Sequence, residues 1–185
     1  GRASRWLAAH GLPAPRLLAD LLVQNDSVTY ADLAPDCTVE PWSAPGGRLC
    51  PLIAGAALSD RLQGLASGEE LRLGRSAFPV FLLPAVAAGD EDDTVLVSWG
   101  NVTVAVGPDG VSVDGPAEAL ALPEAEAVTI RRGQTGTGRT LSVHRRCDMQ
   151  ADAAEALKGF AHRTYAPATE ESRKAGAGAG LTDND

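Results

Sequence analysis

The first apolar positions recur with the period of a helix. Trp6 and Leu7 sit at helical spacing within residues 2–10, and Gly11 is placed to close that helix. Leu17, Leu18, Leu21 and Leu22 form the stripe of a second helix, whose first turn suits Pro15. Residues 25–47 are rich in Pro, Asp and Ser and predict a long excursion with at most one short strand, at 37–39. Helical spacing returns over residues 51–65, where Ile53, Ala57, Leu58, Leu62 and Leu65 share one side. Gly55 and Gly64 each cost such a helix about 1 kcal/mol. Residues 78–86 are an apolar run interrupted by Pro79 and Pro84, which predicts an edge or bulged strand.

From Ala77 onward the period shortens to two. Residues 94–99 and 102–106 flank Gly100-Asn101, a pair suited to a two-residue hairpin turn. Folding there sets Trp99 opposite Val102, Val97 opposite Val104 and Val95 opposite Val106, all on one face. Ser98, Thr103 and Ala105 fall on the other. A slip of one residue would destroy this match, so the register is strongly specified. Gly107-Pro-Asp-Gly110 leads into a third strand carrying Val111 and Val113. A two-residue loop keeps those valines on the buried face, whereas a type I turn with a glycine bulge would shift them. The register that buries the valines is preferred.

A second hairpin is predicted from residues 127–132 and 139–146. A last helix is predicted over residues 151–165, with Asp148 as a cap and Ala154, Leu157, Ala161 and Tyr165 facing the sheet. The sum is an α+β fold, an antiparallel β-meander of about five or six strands packed with N-terminal and C-terminal helices. It is expected to occupy residues 1–167 as one domain, with a Gly-rich acidic C-terminal tail at 168–185. The opening reads as the middle of a helix without a capping residue, so a helical segment upstream is expected to be missing.

Composition narrows the function. Hydrophobic residues make up 44% of the chain and aromatics only 4%, so the core must be aliphatic. A net charge of −8 disfavours nucleic acid as a partner. No apolar run approaches the ~18–20 residues that span a bilayer, and no signal peptide is visible, which predicts a cytoplasmic protein without membrane contact. Heavy use of Ala, Gly and Arg suggests a bacterial source. Cys37, Cys50 and Cys147 are widely spaced without a C-x-x-C, which predicts buried, reduced thiols. The glycines at 176, 178 and 180 are followed by no Lys-Ser/Thr and no helix, so a nucleotide is not expected, and no other cofactor or metal is indicated.

The candidate chemistry is cationic. Arg131, Arg132, Arg139, Arg145 and Arg146 crowd into one stretch of an acidic chain, with His144 among them. Guanidinium groups clustered in this way suit a carboxylate or phosphate. His144 and Cys147 would point to opposite faces of a strand, which argues against a Cys–His nucleophile. No catalytic residue is assigned.

The segment Arg163-Thr-Tyr-Ala-Pro-Ala-Thr-Glu-Glu-Ser-Arg-Lys-Ala-Gly-Ala-Gly-Ala-Gly-Leu-Thr-Asp-Asn-Asp185 resembles the ending of an uncharacterised bacterial family, domain of unknown function 3726. The opening Gly-Arg-Ala-Ser-Arg-Trp-Leu-Ala-Ala-His-Gly-Leu is similar to that family as well, where it follows an extra N-terminal helical segment. The resemblance implies no activity, cofactor or catalytic residue. It directs attention to Thr169, Glu170, Ser172, Arg173, Gly176, Gly178, Gly180 and Asp183. Two readings follow. In the first, the chain is a non-catalytic binding or accessory protein whose tail contacts a partner protein or a copy of itself in a homo-oligomer. In the second, it is a small enzyme or sensor domain in which Arg131, Arg132, Arg139, His144 and Arg145 hold a small anionic ligand, with Glu170 or Asp183 as base.

Overall fold

The computed structural model describes residues 1–90, 92–134 and 138–164. Tyr165 and the tail residues Thr169, Glu170, Ser172, Arg173, Gly176, Gly178, Gly180 and Asp183 lie outside them. Among the described residues, six α-helices accompany a six-stranded antiparallel sheet and a separate two-stranded ribbon. The architecture is α+β.

The sheet grows from the valine-rich hairpin. Strands β3 (Val95–Trp99) and β4 (Val102–Gly107) pair Val95 with Val106, Val97 with Val104 and Trp99 with Val102, as the alternation predicts. All six side chains are buried. Strand β5 (Gly110–Asp114) follows through a two-residue loop that pairs Gly107 with Gly110, so Val111 and Val113 stay on the same buried face. The indole of Trp99 donates to the Ala119 carbonyl at 3.0 Å, which satisfies its one polar atom inside the core.

The predicted second hairpin does not form. Strand β7 (Val128–Arg132) lies between β3 and β1 (Glu70–Leu73), whereas β8 (Arg139–Thr140) is a short edge strand on β5. The sheet order is β1-β7-β3-β4-β5-β8, so only its centre is a meander. Burial explains the choice. Val128 and Ile130 are fully buried and gain apolar neighbours on both flanking strands, while Arg139 and Thr140 are exposed and tolerate an edge. The Leu141 N–H still bonds the Val111 carbonyl at 2.8 Å, and beyond it the chain leaves the sheet.

Residues 78–86 are helical, not a strand. A 3₁₀ turn (Pro79–Leu82) runs into α5 (Leu83–Gly89), and each proline falls in a first turn, where its missing N–H costs nothing. Every residue from Ser76 to Leu83 is buried, so no alternation exists to distinguish the two structures. Helix α5 packs tightly on α4 (Pro51–Leu62), whose buried side is Ala54, Gly55, Leu58 and Leu62. A Cβ on Gly55 would stand 2.9 Å from the Ala85 Cβ, so glycine permits this approach. The Ser59 hydroxyl lies 2.9 Å from the Ala85 carbonyl and stitches the two helices together.

Helices α1 (Arg2–Ala9) and α2 (Ala14–Gln24) form as the apolar stripes predict. The strand expected at 37–39 is absent there. The excursion instead contains α3 (Tyr30–Leu33), capped by Thr29, and the bridge Asp36–Ser43. Helix α6 (Ala151–Thr164) lies along α2 and not on the sheet, with Ala153 as its buried residue. Arg16 pairs with Asp152 near the start of both helices, and Arg163 meets Asp26 at 3.0 Å near their ends, so the two run parallel. Of the cysteines only Cys50 is buried. Cys37 and Cys147 are exposed, contrary to expectation, because both sit in irregular segments over the surface. No helix among the described residues is long and apolar enough to cross a membrane.

Candidate functional site

The turn from α1 to α2 carries the site. Gly11 has φ +78°, a left-handed conformation that lets α1 stop and the chain reverse through Leu12 and Pro13. The carbonyls at the end of α1 are all occupied: Trp6 and Leu7 accept from His10, Leu7 also from Leu12, and Ala8 from Gly11. The Ala9 carbonyl accepts from the His144 backbone N–H at 2.6 Å. The negative end of the α1 dipole is thereby covered by donors, not left bare toward a ligand.

That last bond pins the chain leaving β8 across the helical turn. It brings the His144 ring over Gly11, where a Cβ would meet ring atoms at 3.3 Å. His10 approaches from the other side. Its Nδ1 lies 2.8 Å from the Trp6 carbonyl, and its ring packs against Trp6 with centroids 4.0 Å apart. These two contacts hold the His10 ring in place.

Between these elements lies a cleft of about 320 Å³. Its polar lining is His10, Arg139, His144, Thr140 and Ser142, and among the described residues no carboxylate lines it. Leu12, Ala117, Leu120 and Leu141 form its apolar walls. Arg139 makes no ion pair with any other described residue. Beyond His144 the surface continues into a second depression of about 270 Å³ lined by Arg5, Arg145, Arg146 and Cys147, again with no carboxylate among the described residues. These three arginines form no ion pair among the described residues either. A third depression, beside Pro13 and Arg16, includes Asp148 in its lining and is electrostatically mixed.

The arginines named from sequence therefore separate. Arg139 and His144 share the cleft, and Arg145 adjoins it. Arg131 lies on the exposed side of β7, four strand spacings from β8, roughly 19 Å at the usual separation of neighbouring strands. Arg132 faces the core side and is fully engaged. Its Nε donates to the Leu65 carbonyl at 2.7 Å and its Nη2 to the Leu62 carbonyl at 3.1 Å, at the end of α4. Its Nη1 pairs with Asp93 and lies 2.6 Å from Asp90 Oδ2, though without the angle of a hydrogen bond. Arg132 is a structural cation. Glu170 and Asp183, the bases considered for an enzyme, lie outside the described residues.

Sequence reading missed His10 and Arg5. Arg5 lies in α1 and His10 caps it, and nothing in a linear chain announces that the segment after β8 crosses that helix end. Arg146 was visible in the cluster, but its place beside Arg5 was not. Among the described residues no group of three or more His, Cys, Asp or Glu could hold a metal ion, and no hydrogen bond joins Cys147 to His144. A larger groove of about 670 Å³ between α1, α4 and α5 offers Arg2 and Ser59 beside apolar walls and no general acid or base. The chain matches no family model, and no curated protein or solved structure matches it.

Proposed function

We propose that the protein is a non-catalytic binding protein for a small anionic ligand, held in the cleft formed by His10, Arg139 and His144. The observation that carries this reading is local positive charge without local neutralisation. In a chain of net charge −8, Arg139 and two imidazoles line a concave surface to which none of the described residues contributes a carboxylate. Elsewhere most arginines are matched: Arg16 with Asp20, Arg61 with Glu69, Arg72 with Glu70, Arg75 with Glu124. A guanidinium in a cleft that excludes its usual partners suits an incoming oxyanion. Binding, and not catalysis, is favoured because the cleft holds no nucleophile positioned by a base.

Isothermal titration at low ionic strength tests this with acetate and inorganic phosphate as probes. The Arg139→Gln variant should weaken the tighter of the two by about tenfold, the loss of one charge-assisted contact of roughly 1.5 kcal/mol. Equal binding by the variant would refute the assignment.

The assembly role of residues 168–185 is a second proposal. It rests on their sequence, where Gly176, Gly178 and Gly180 alternate with alanine ahead of Asp183 and Asp185.

A further inference from the structure

We infer that the ligand of this cleft is a small monocarboxylate with an apolar body, such as an aromatic or branched short-chain acid. This deepens the anion-binding reading and rests on it. The cleft is divided by chemistry. Arg139, His10 and His144 stand with the hydroxyls of Thr140 and Ser142, whereas Leu12, Ala117, Leu120 and Leu141 supply surface that no phosphate or sulfate would use. Leu120 and Leu141 are buried, at 2% and 8% exposure, and form the floor, while exposed Ala117 stands at the rim.

Charge count points the same way. One guanidinium presents a fork that matches one carboxylate bidentately. The cleft has one, and the chain as a whole repels polyanions. A nucleoside di- or triphosphate would need several cations converging on it, and Arg5, Arg145 and Arg146, which form no ion pair among the described residues, line the separate depression beyond His144. Size agrees as well. Sites for drug-sized ligands span about 300–1,000 Å³, and this one is at the lower end. An apolar body then contributes by burying its surface against the leucines, at about 25 cal/mol for each Å² removed from water.

Titration of the full chain with four probes distinguishes the claims: acetate, benzoate, 3-methylbutanoate and inorganic phosphate. Benzoate or 3-methylbutanoate should bind at least tenfold more tightly than acetate and phosphate. Ala117→Asp, an exposed substitution on the rim, should weaken all four probes severalfold by setting a like charge beside the ligand, with the circular dichroism spectrum unchanged. Arg139→Gln should weaken all carboxylates. If phosphate or acetate binds as tightly as the apolar acids, the ligand class is wrong while the anion site stands. If no probe binds, both the ligand class and the anion site fall.

Discussion

Two neighbouring arginines on β7 show how position decides what one side chain does. Arg132 donates its Nε and Nη2 to carbonyls at the end of α4, and its Nη1 bonds Asp93 and sits beside the Asp90 carboxylate as an ion pair. The Asp90 side chain is only 7% exposed, so removing its counter-charge would strand a carboxylate in a poorly solvated place. Arg132→Ala should therefore destabilise the fold by roughly 3 kcal/mol in chemical denaturation. Arg131→Ala, one residue away on the exposed face, should change stability by no more than about 0.5 kcal/mol. Equal effects would contradict the roles assigned to the pair. Alternation alone predicts that Arg131 and Arg132 face opposite sides of the sheet. It does not reveal that the inward one meets a helix end, because Leu62 and Leu65 are some seventy positions away in sequence.

At the scale of elements, the hairpin was legible and the α4–α5 contact was not. Val95, Val97, Val102, Val104 and Val106 alternate so strictly around Gly100-Asn101 that one register buries them all, and that register forms. Residues 78–86 gave no such discrimination, since a segment buried on every side has neither the period of a strand nor that of a helix. The two prolines read as strand breakers are helix starters. Gly55 was read as a weakness in α4, yet it is what lets α5 approach. Gly55→Ala sets two effects in opposition. Helix propensity gains about 1 kcal/mol. Forcing a methyl to 2.9 Å from the Ala85 Cβ costs about 1–3 kcal/mol, because that neighbour has no rotamer to turn away. The variant should thus have a lower melting temperature than the parent, and a higher one would show that the helices separate easily.

Across the whole molecule, one face of the sheet is sealed by helices, and the chain beyond β8 crosses back over the α1–α2 turn to make the cleft. Half of the candidate site was therefore visible from composition: Arg139, His144 and Arg145 stand out in an acidic chain. The other half was not: His10 and Leu12 come from the α1–α2 turn more than one hundred residues distant, through a crossing that leaves no mark in periodicity, and Leu120 and Leu141 read only as core positions. The assembly proposal belongs to this scale too. Deleting residues 168–185 should lower the mass measured by light scattering, and an unchanged mass would remove an intersubunit role for the tail.

The central claim is the location of anion binding, and backbone amide NMR with acetate titrated into the ¹⁵N-labelled chain tests it most directly. Shifts concentrated at Gly11, Leu12 and residues 139–144, saturating together, are the predicted result. Shifts centred on Arg131 and the exposed face of β7, or none that saturate, would contradict it.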